Sequence, residues 1–388
     1  MSFLCTSLLD YDNQGNSFMK RILFITQNME RTGSEMVLWH LFNHIDFKKF
    51  KIHVFCIRRG ALYDLLPSSI QKSSSYKESG LFGKKVLRTF LKTAGINPLH
   101  YQLNYIHRIF KPDYWYVNTL SIPWVYDVSV KLDVKIVTHI HELLYGFSFI
   151  KAQQFRNMIK SSNTILGCSE EVCSAIGALN HQDVRLQSSF IDPASILPTS
   201  SKINLIKQQF GIEKDDFVWA ISGATTLMKG FDHMLHILDA FKGKPVKFLW
   251  IGRIIDDGLN EYIREIVAKN YSDQMFLCGP QAEYYYEHLA CANGLLLLSR
   301  EESFSLVLLE AAYLGLPTVS FDVGIAKSFI NRKTGRVINN RDINSFIEAM
   351  KSVQNDHTID DEEIKNAVHP YTTDYQIAKY QALLNDLN

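Results

Sequence analysis

The stretch from Ser299 to Ala312, SREESFSLVLLEAA, sets two carboxylates, Glu302 and Glu310, eight positions apart across the start of an apolar segment. A carboxylate in the loop before a helix can accept hydrogen bonds from sugar hydroxyls. The first N–H groups of that helix, here those of Ser305, Leu306 and Val307, favour a bound anion. An acid two turns further along, Glu310, suits the vicinal diol of a ribose. The plainer alternative is that Glu302 caps its own helix and Glu310 lies on a solvated face. Lys229, followed by Gly230, offers a point charge for a diphosphate, with an ordinary helix entry as its alternative. His141, at the end of VKIVTHI and followed by Glu142, is a candidate for contact with a polar ligand; for His141 and His139 alike the alternative is a strand-end or core ring with a satisfied nitrogen. Gly33 would let backbone N–H groups approach phosphates or an acceptor, or would make a tight strand-to-helix turn.

These residues need elements to position them. Short runs rich in Val, Ile and Phe alternate with stretches of helical period, the pattern of parallel sheets with crossover helices. RILFI, KIHVFCI, DYWYVN, VKIVTHI, TILGCS and VRLQSSFI read as strands of a first half. FVWAISG, VKFLWIG, QMFLCG, GLLLLS and PTVSF read as strands of a second. The fold expected is α/β, with two doubly wound Rossmann-like domains facing across a cleft. Ligands of such sheets gather at the carboxyl ends of strands, which is where the chemically suggestive residues lie. FIDPASILPTSSK, with Pro193 and Pro198, reads as the linker. The boundaries expected are a tail over 1–18, a first domain over 19–195, a second over 196–370, and a C-terminal helix over 371–388 packing back on the first domain.

Composition narrows the class. A chain of 388 residues exceeds one ordinary core, and its 46% hydrophobic content fits a globular protein. The formal charge of +1 gives no argument for nucleic acid. It is unevenly distributed: residues 51–100 hold nine basic and two acidic side chains. Six cysteines without metal-ligand spacing read as reduced thiols of a cytoplasmic protein. Nothing resembles a signal peptide or a bilayer span. LFGKKVLRTFLKTAG places Leu81, Phe82, Val86, Leu87, Phe90, Leu91 and Ala94 at helical spacing beside Lys84, Lys85, Arg88 and Lys92. Residues 81–94 therefore read either as an amphipathic helix for an anionic membrane surface or as a helix packed on the sheet with a solvated basic face. Asp10-Tyr11-Asp12 precedes the first strand and is read as incidental, so no metal site is expected.

The ordered set of motifs resembles the family 4 glycosyltransferases of the GT-B fold. The match runs from Glu302-Ser303-Phe304-Ser305-Leu306 to Glu310-Ala311 and Gly315-Leu316-Pro317. RTGSEMVLWHL, with Gly33 and Ser34, is similar to the family's glycine-rich turn; VTHIHEL to its His-Asp or His-Glu loop; ISGATTLMKGFDHML, with Gly223 and Lys229, to the opening of its second domain; and FDVGIAKSFI, with Gly324, to its late glycine loop. The chain departs from the pattern at Ser305, where many relatives have glycine, and at Ala224 and Met228, where an arginine is common. Arg253, after WIG, is a candidate substitute for that arginine.

The resemblance implies transfer of a sugar from a nucleotide-diphosphate donor (UDP-, GDP- or ADP-sugar) to a hydroxyl acceptor, with retention at the anomeric carbon, no metal and no further cofactor. In that reading Glu310 meets the ribose, Lys229 and the helix mouth the diphosphate, and Glu302 the sugar hydroxyls. The resemblance makes His141 and Glu302 the catalytic candidates: His141 would contact the transferred sugar near the reacting bond from the facing domain, where the Gly33 loop completes the site. A saccharide or lipid-linked acceptor at the inner face of the cell membrane, in bacterial surface-polysaccharide assembly, follows by analogy. The alternatives are a catalytically silent sugar-nucleotide-binding subunit, prompted by the absent arginine, and a glycoside hydrolase using Glu302 and Glu310.

Overall fold

A computed structural model describes residues 19–179 and 183–387. The segment 1–18, with Asp10-Tyr11-Asp12, lies outside the described residues. The first sheet contains β1 (Lys20–Thr26), β2 (Phe50–Cys56), β3 (Gln71–Ser74), β4 (Tyr114–Asn118), β5 (Lys135–Ile140), β6 (Thr164–Gly167) and β7 (Val184–Leu186), in the order β3-β2-β1-β4-β5-β6-β7. The second contains β8 (Phe217–Ser222), β9 (Val246–Ile251), β10 (Met275–Gly279), β11 (Gly294–Leu297), β12 (Thr318–Phe321) and β13 (Gly335–Ile338), in the order β10-β9-β8-β11-β12-β13. The ladders of both sheets are parallel. Helices cover both faces of a parallel sheet, so its central strands are largely buried and mostly apolar. All five residues of β4 are buried.

In each sheet the order reverses once, between β1 and β4 and between β8 and β11. A doubly wound sheet opens its ligand crevice at such a point. The expected pair of doubly wound domains is what the structure contains. VRLQSSFI is corrected in part: only Val184–Leu186 is strand, because β7 is an edge with a single neighbour. β3 and β13 were not anticipated. Gln71-Lys72-Ser73-Ser74, at the other edge, is polar throughout, with Gln71 and Lys72 exposed, so it carries no apolar signal.

The chain crosses between domains twice, side by side. Ile191 forms a parallel bridge with Thr372; Ile191 N–H donates to Tyr371 O at 3.0 Å, and Thr373 N–H to Ile191 O at 2.9 Å. After the second crossing, the helix Thr373–Asp386 lies on the first domain. There Ile377, Tyr380 and Leu384 share a core with Phe24, Val37 and Leu41. Another core spans the junction, joining Ile140, Leu143 and Cys168 to Phe304, Leu308 and Phe329. Burying this apolar surface holds the two strand-end faces opposite one another.

Candidate active site

On the second-domain face, β11 leads through a loop into the helix Leu306–Tyr313. Glu302 does not cap that helix. Its Oε1 takes the Lys229 ammonium at 2.5 Å and the Ser299 hydroxyl at 2.6 Å. The residue at the helix start is Ser305, held at φ 86°, ψ 85°, with no side-chain cap and with no partner for its buried Oγ among the described residues. A left-handed conformation is unfavourable for a residue with a Cβ, which explains why glycine suits this place. The helix mouth is thus left open for an anion, with Leu306 and Val307 in its first turn.

The loop is fastened from two sides. Arg300 clasps Asp232 with two bonds of 2.8 and 2.7 Å, and its N–H donates to Met228 O at 2.8 Å. This draws the Lys229 turn against the glutamate loop and engages Arg300, so Arg300 does not replace the arginine absent at Ala224 and Met228. Gly324, at φ +55°, brings its backbone close to Phe304; a Cβ there would stand 2.5 Å from Phe304 O. Gly223, at φ +146°, lies under the Lys229 stem, which a Cβ would meet at 3.2 Å. Arg253 follows β9, is exposed, and has no ion-pair partner among the described residues; its carbonyl accepts from Thr225 N–H at 3.0 Å.

Glu310 is buried rather than solvated. Its Oε2 accepts from Tyr285 at 2.9 Å and its Oε1 from Tyr286 at 3.4 Å. Burial raises its pKa from 4.5 to about 7, partly offset by these two hydrogen bonds.

On the first-domain face, His141 follows β5 and its Nε2 lies 2.9 Å from Asn118 Oδ1 at the end of β4. Burial pushes its pKa down to about 3, so the ring is neutral and Nε2–H donates to Asn118. His139 is a core residue, with Nδ1 2.7 Å from Tyr116 OH; the Tyr380 hydroxyl from the C-terminal helix bonds to Tyr116 in turn. Glu142 accepts from Thr119 Oγ1, from Leu120 N–H at 3.3 Å and from its neighbour's N–H at 2.9 Å. Thr119 has φ 119°, a strained conformation for a β-branched residue. Gly33 opens the helix Gly33–His44 with nothing within 4 Å of the position a Cβ would take, and Ser34 Oγ donates to the buried Glu35 at 2.8 Å.

The faces meet directly. Ser303 Oγ donates to His141 O at 2.5 Å, and Tyr145 N–H donates to Glu301 Oε1 at 3.0 Å. Glu302 with Lys229 and Gly324 thus forms one group, Glu310 a second, and His141 is linked to the first through Ser303. Among the described residues, Arg253 and the Gly33 turn make no hydrogen bond or ion pair with them. Tyr285, Tyr286, Ser222, Asn118, Thr119 and Glu35 belong to the site without standing out in the residue order. The available signals were a run of three tyrosines and a polar residue closing an apolar strand.

Residues 202–369 match the family described as glycosyl transferases group 1. The chain is similar in fold to Anabaena HepE in complex with UDP and glucose (TM-score 0.76, 17% identity, covering 95% of this chain and 100% of that one). It is also similar to sucrose-phosphate synthase from Thermosynechococcus elongatus (TM-score 0.74, 13%, 95% and 99%) and to WaaG, a glycosyltransferase involved in lipopolysaccharide biosynthesis (TM-score 0.67, 13%, 95% and 100%). At these identities the likeness establishes the two-domain GT-B fold. An uncharacterized 41.2 kDa protein in the cps region of Klebsiella pneumoniae is 24% identical over 210 residues, 53% of this chain and 54% of that one, so the match spans about half of that relative. The matched domain together with the GT-B fold supports glycosyl transfer.

Proposed function

We propose that the protein is a family 4 GT-B glycosyltransferase that moves a sugar from a nucleotide diphosphate to a hydroxyl acceptor with retention and without a metal ion. The observation that carries this reading is the Lys229–Glu302 pair beside an uncapped helix mouth. An arriving diphosphate takes over Lys229 and the N–H groups of the first turn, while Glu302 turns to the hydroxyls of the transferred sugar. Fixed positive groups then meet the charge that develops on the departing diphosphate. Glu310 accepts from the ribose, and neutral His141 faces the reacting sugar from the opposite domain. NMR of the product's anomeric configuration, with and without EDTA, tests the stereochemical and metal claims. Retention unaffected by EDTA is expected; inversion or loss of activity in EDTA would overturn them.

The acceptor is lipid-linked or a growing saccharide, reached from the inner face of the cell membrane. The support is the helix Phe82–Thr93, which buries Leu91 and leaves Phe82, Val86 and Phe90 at 81%, 50% and 64% exposure. These three lie one turn apart on the outer side. Between residues 79 and 112 there are six Lys or Arg and no Asp or Glu. No helix among the described residues is long and apolar enough to cross a membrane. Basic side chains near an anionic bilayer contribute about 1 kcal/mol each. The full chain is expected to sediment with phosphatidylglycerol vesicles and not with phosphatidylcholine ones, and a variant carrying both Phe82→Glu and Phe90→Glu to stay in solution. Equal behaviour of that variant and the parent would sink the membrane reading.

A further inference from the structure

Glu310 is held by groups outside the motif that contains it. Tyr285 and Tyr286 lie in the helix Tyr285–Ala290, after β10, with their rings crossing at 69° and centroids 5.2 Å apart. One hydroxyl reaches Oε2 at 2.9 Å and the other Oε1 at 3.4 Å. The Tyr285 hydroxyl is also 2.9 Å from Ser222 Oγ, at the end of β8. The end of β8 and the helix after β10 therefore converge on a carboxyl carried by the helix after β11.

In its ionised form the Glu310 carboxyl offers about four acceptor sites, two on each oxygen. Each phenol occupies one site on a different oxygen. One site per oxygen stays open, and a pair of adjacent hydroxyls can fill both at once. Without the phenols the carboxyl would be free to turn about its terminal torsion, which has a broad energy minimum. It would then accept from a single hydroxyl nearly as well as from two.

We propose that Tyr285 and Tyr286 are positioning residues that lock the Glu310 carboxyl for the vicinal diol of a ribonucleotide and so set ribose over 2′-deoxyribose. This rests on the reading of Glu310 as the ribose acceptor. The two phenols have different parts. Tyr285, closer and tied to Ser222, fixes the plane; Tyr286, at the longer distance, adjusts as the ligand enters.

The test is calorimetric binding of UDP, GDP and ADP, then of the 2′-deoxy counterpart of the tightest, to the full chain and its Y285F, Y286F, S222A and E310Q variants. Thermal unfolding of each variant checks that it is folded. Hydrogen bonds to a charged group are worth about 1.5–3 kcal/mol, so the unaltered chain should prefer the ribonucleotide by about tenfold or more. In Y285F and S222A the preference should fall below about threefold through weaker ribonucleotide binding, with 2′-deoxy affinity unchanged; Y286F should lie between. A merely structural role would lower the melting temperature and leave the ratio intact. Preference lost in E310Q but kept in folded Y285F would overturn this proposal alone. No ribose preference in the unaltered chain, with E310Q binding as tightly, would overturn the Glu310 reading and this proposal with it.

Discussion

The two faces of the cleft are assembled in different ways. The second-domain face draws Ser299, Glu302, Ser305 and Glu310 from one strand-loop-helix unit, whose internal spacing is dictated by the rise of the helix and the length of one loop. The first-domain face draws Asn118 from the end of β4, Thr119, His141 and Glu142 from the loops after β4 and β5, and Glu35 from the first turn of the helix after β1, and their placement depends on how β1, β4 and β5 stand side by side. The acids of the second-domain face are local to one unit, and Glu302 is paired in advance by Lys229 from a second loop. The first-domain face is non-local and strained, as at Thr119. A donor bound by the local face would find its groups already ordered, while the facing groups depend on domain contacts such as Ser303 to His141.

This contrast can be broken by substitution. Lys229→Met removes the only cation paired with Glu302 among the described residues and should have the largest effect, a fall in kcat/KM of about 10²–10³, as for loss of one preorganised charge-stabilising group. Steady-state kinetics with the preferred donor checks this; a fall below tenfold would mean that the pair is structural.

Glu310 offers a second handle through pH. Its pKa is about 7 when folded and 4.5 ordinarily, so the folded chain holds a proton that the unfolded chain releases across that window. Stability should therefore decline as pH rises from about 4.5 to about 7, by on the order of 3 kcal/mol, and E310Q should flatten the decline. Urea unfolding at pH 5 and pH 8 measures it, and parallel curves for the two proteins would contradict it.

On the other face, Asn118→Asp sets a carboxylate where an amide oxygen now accepts from His141. A carboxylate there favours the imidazolium and raises a pKa that burial holds at about 3. An acid limb should then appear in the kcat/KM profile above pH 5, absent from the parent. The smallest effect is expected at Ser305→Gly, which relieves the left-handed φ of 86° and should stabilise the chain by about 1 kcal/mol, read as a rise in urea midpoint.

The contrast also explains what was legible in the residue order. Two doubly wound domains were legible because buried parallel strands leave continuous apolar runs, as in RILFI and FVWAIS, each followed by a helical period. The pairing of Glu302 with Lys229 was only implied, since 73 residues separate them and the Arg300–Asp232 clasp brings their loops together. The solvated alternative for Glu310 fails because helical spacing alone does not reveal that a tyrosine pair from a different helix covers it. Asn118 and Thr119 stayed hidden because each acts through a neighbouring strand. Edge elements such as β3 carry too little apolar surface to be seen.

The claim that the cleft holds a sugar donor is tested most directly by titrating UDP-, GDP- and ADP-sugars against the full chain and its Lys229→Met variant, following binding heat and released nucleotide. The expected result is saturable binding of one donor with slow hydrolysis, and loss of both in the variant. Absence of binding to all three, or binding equally strong without Lys229, would contradict the account.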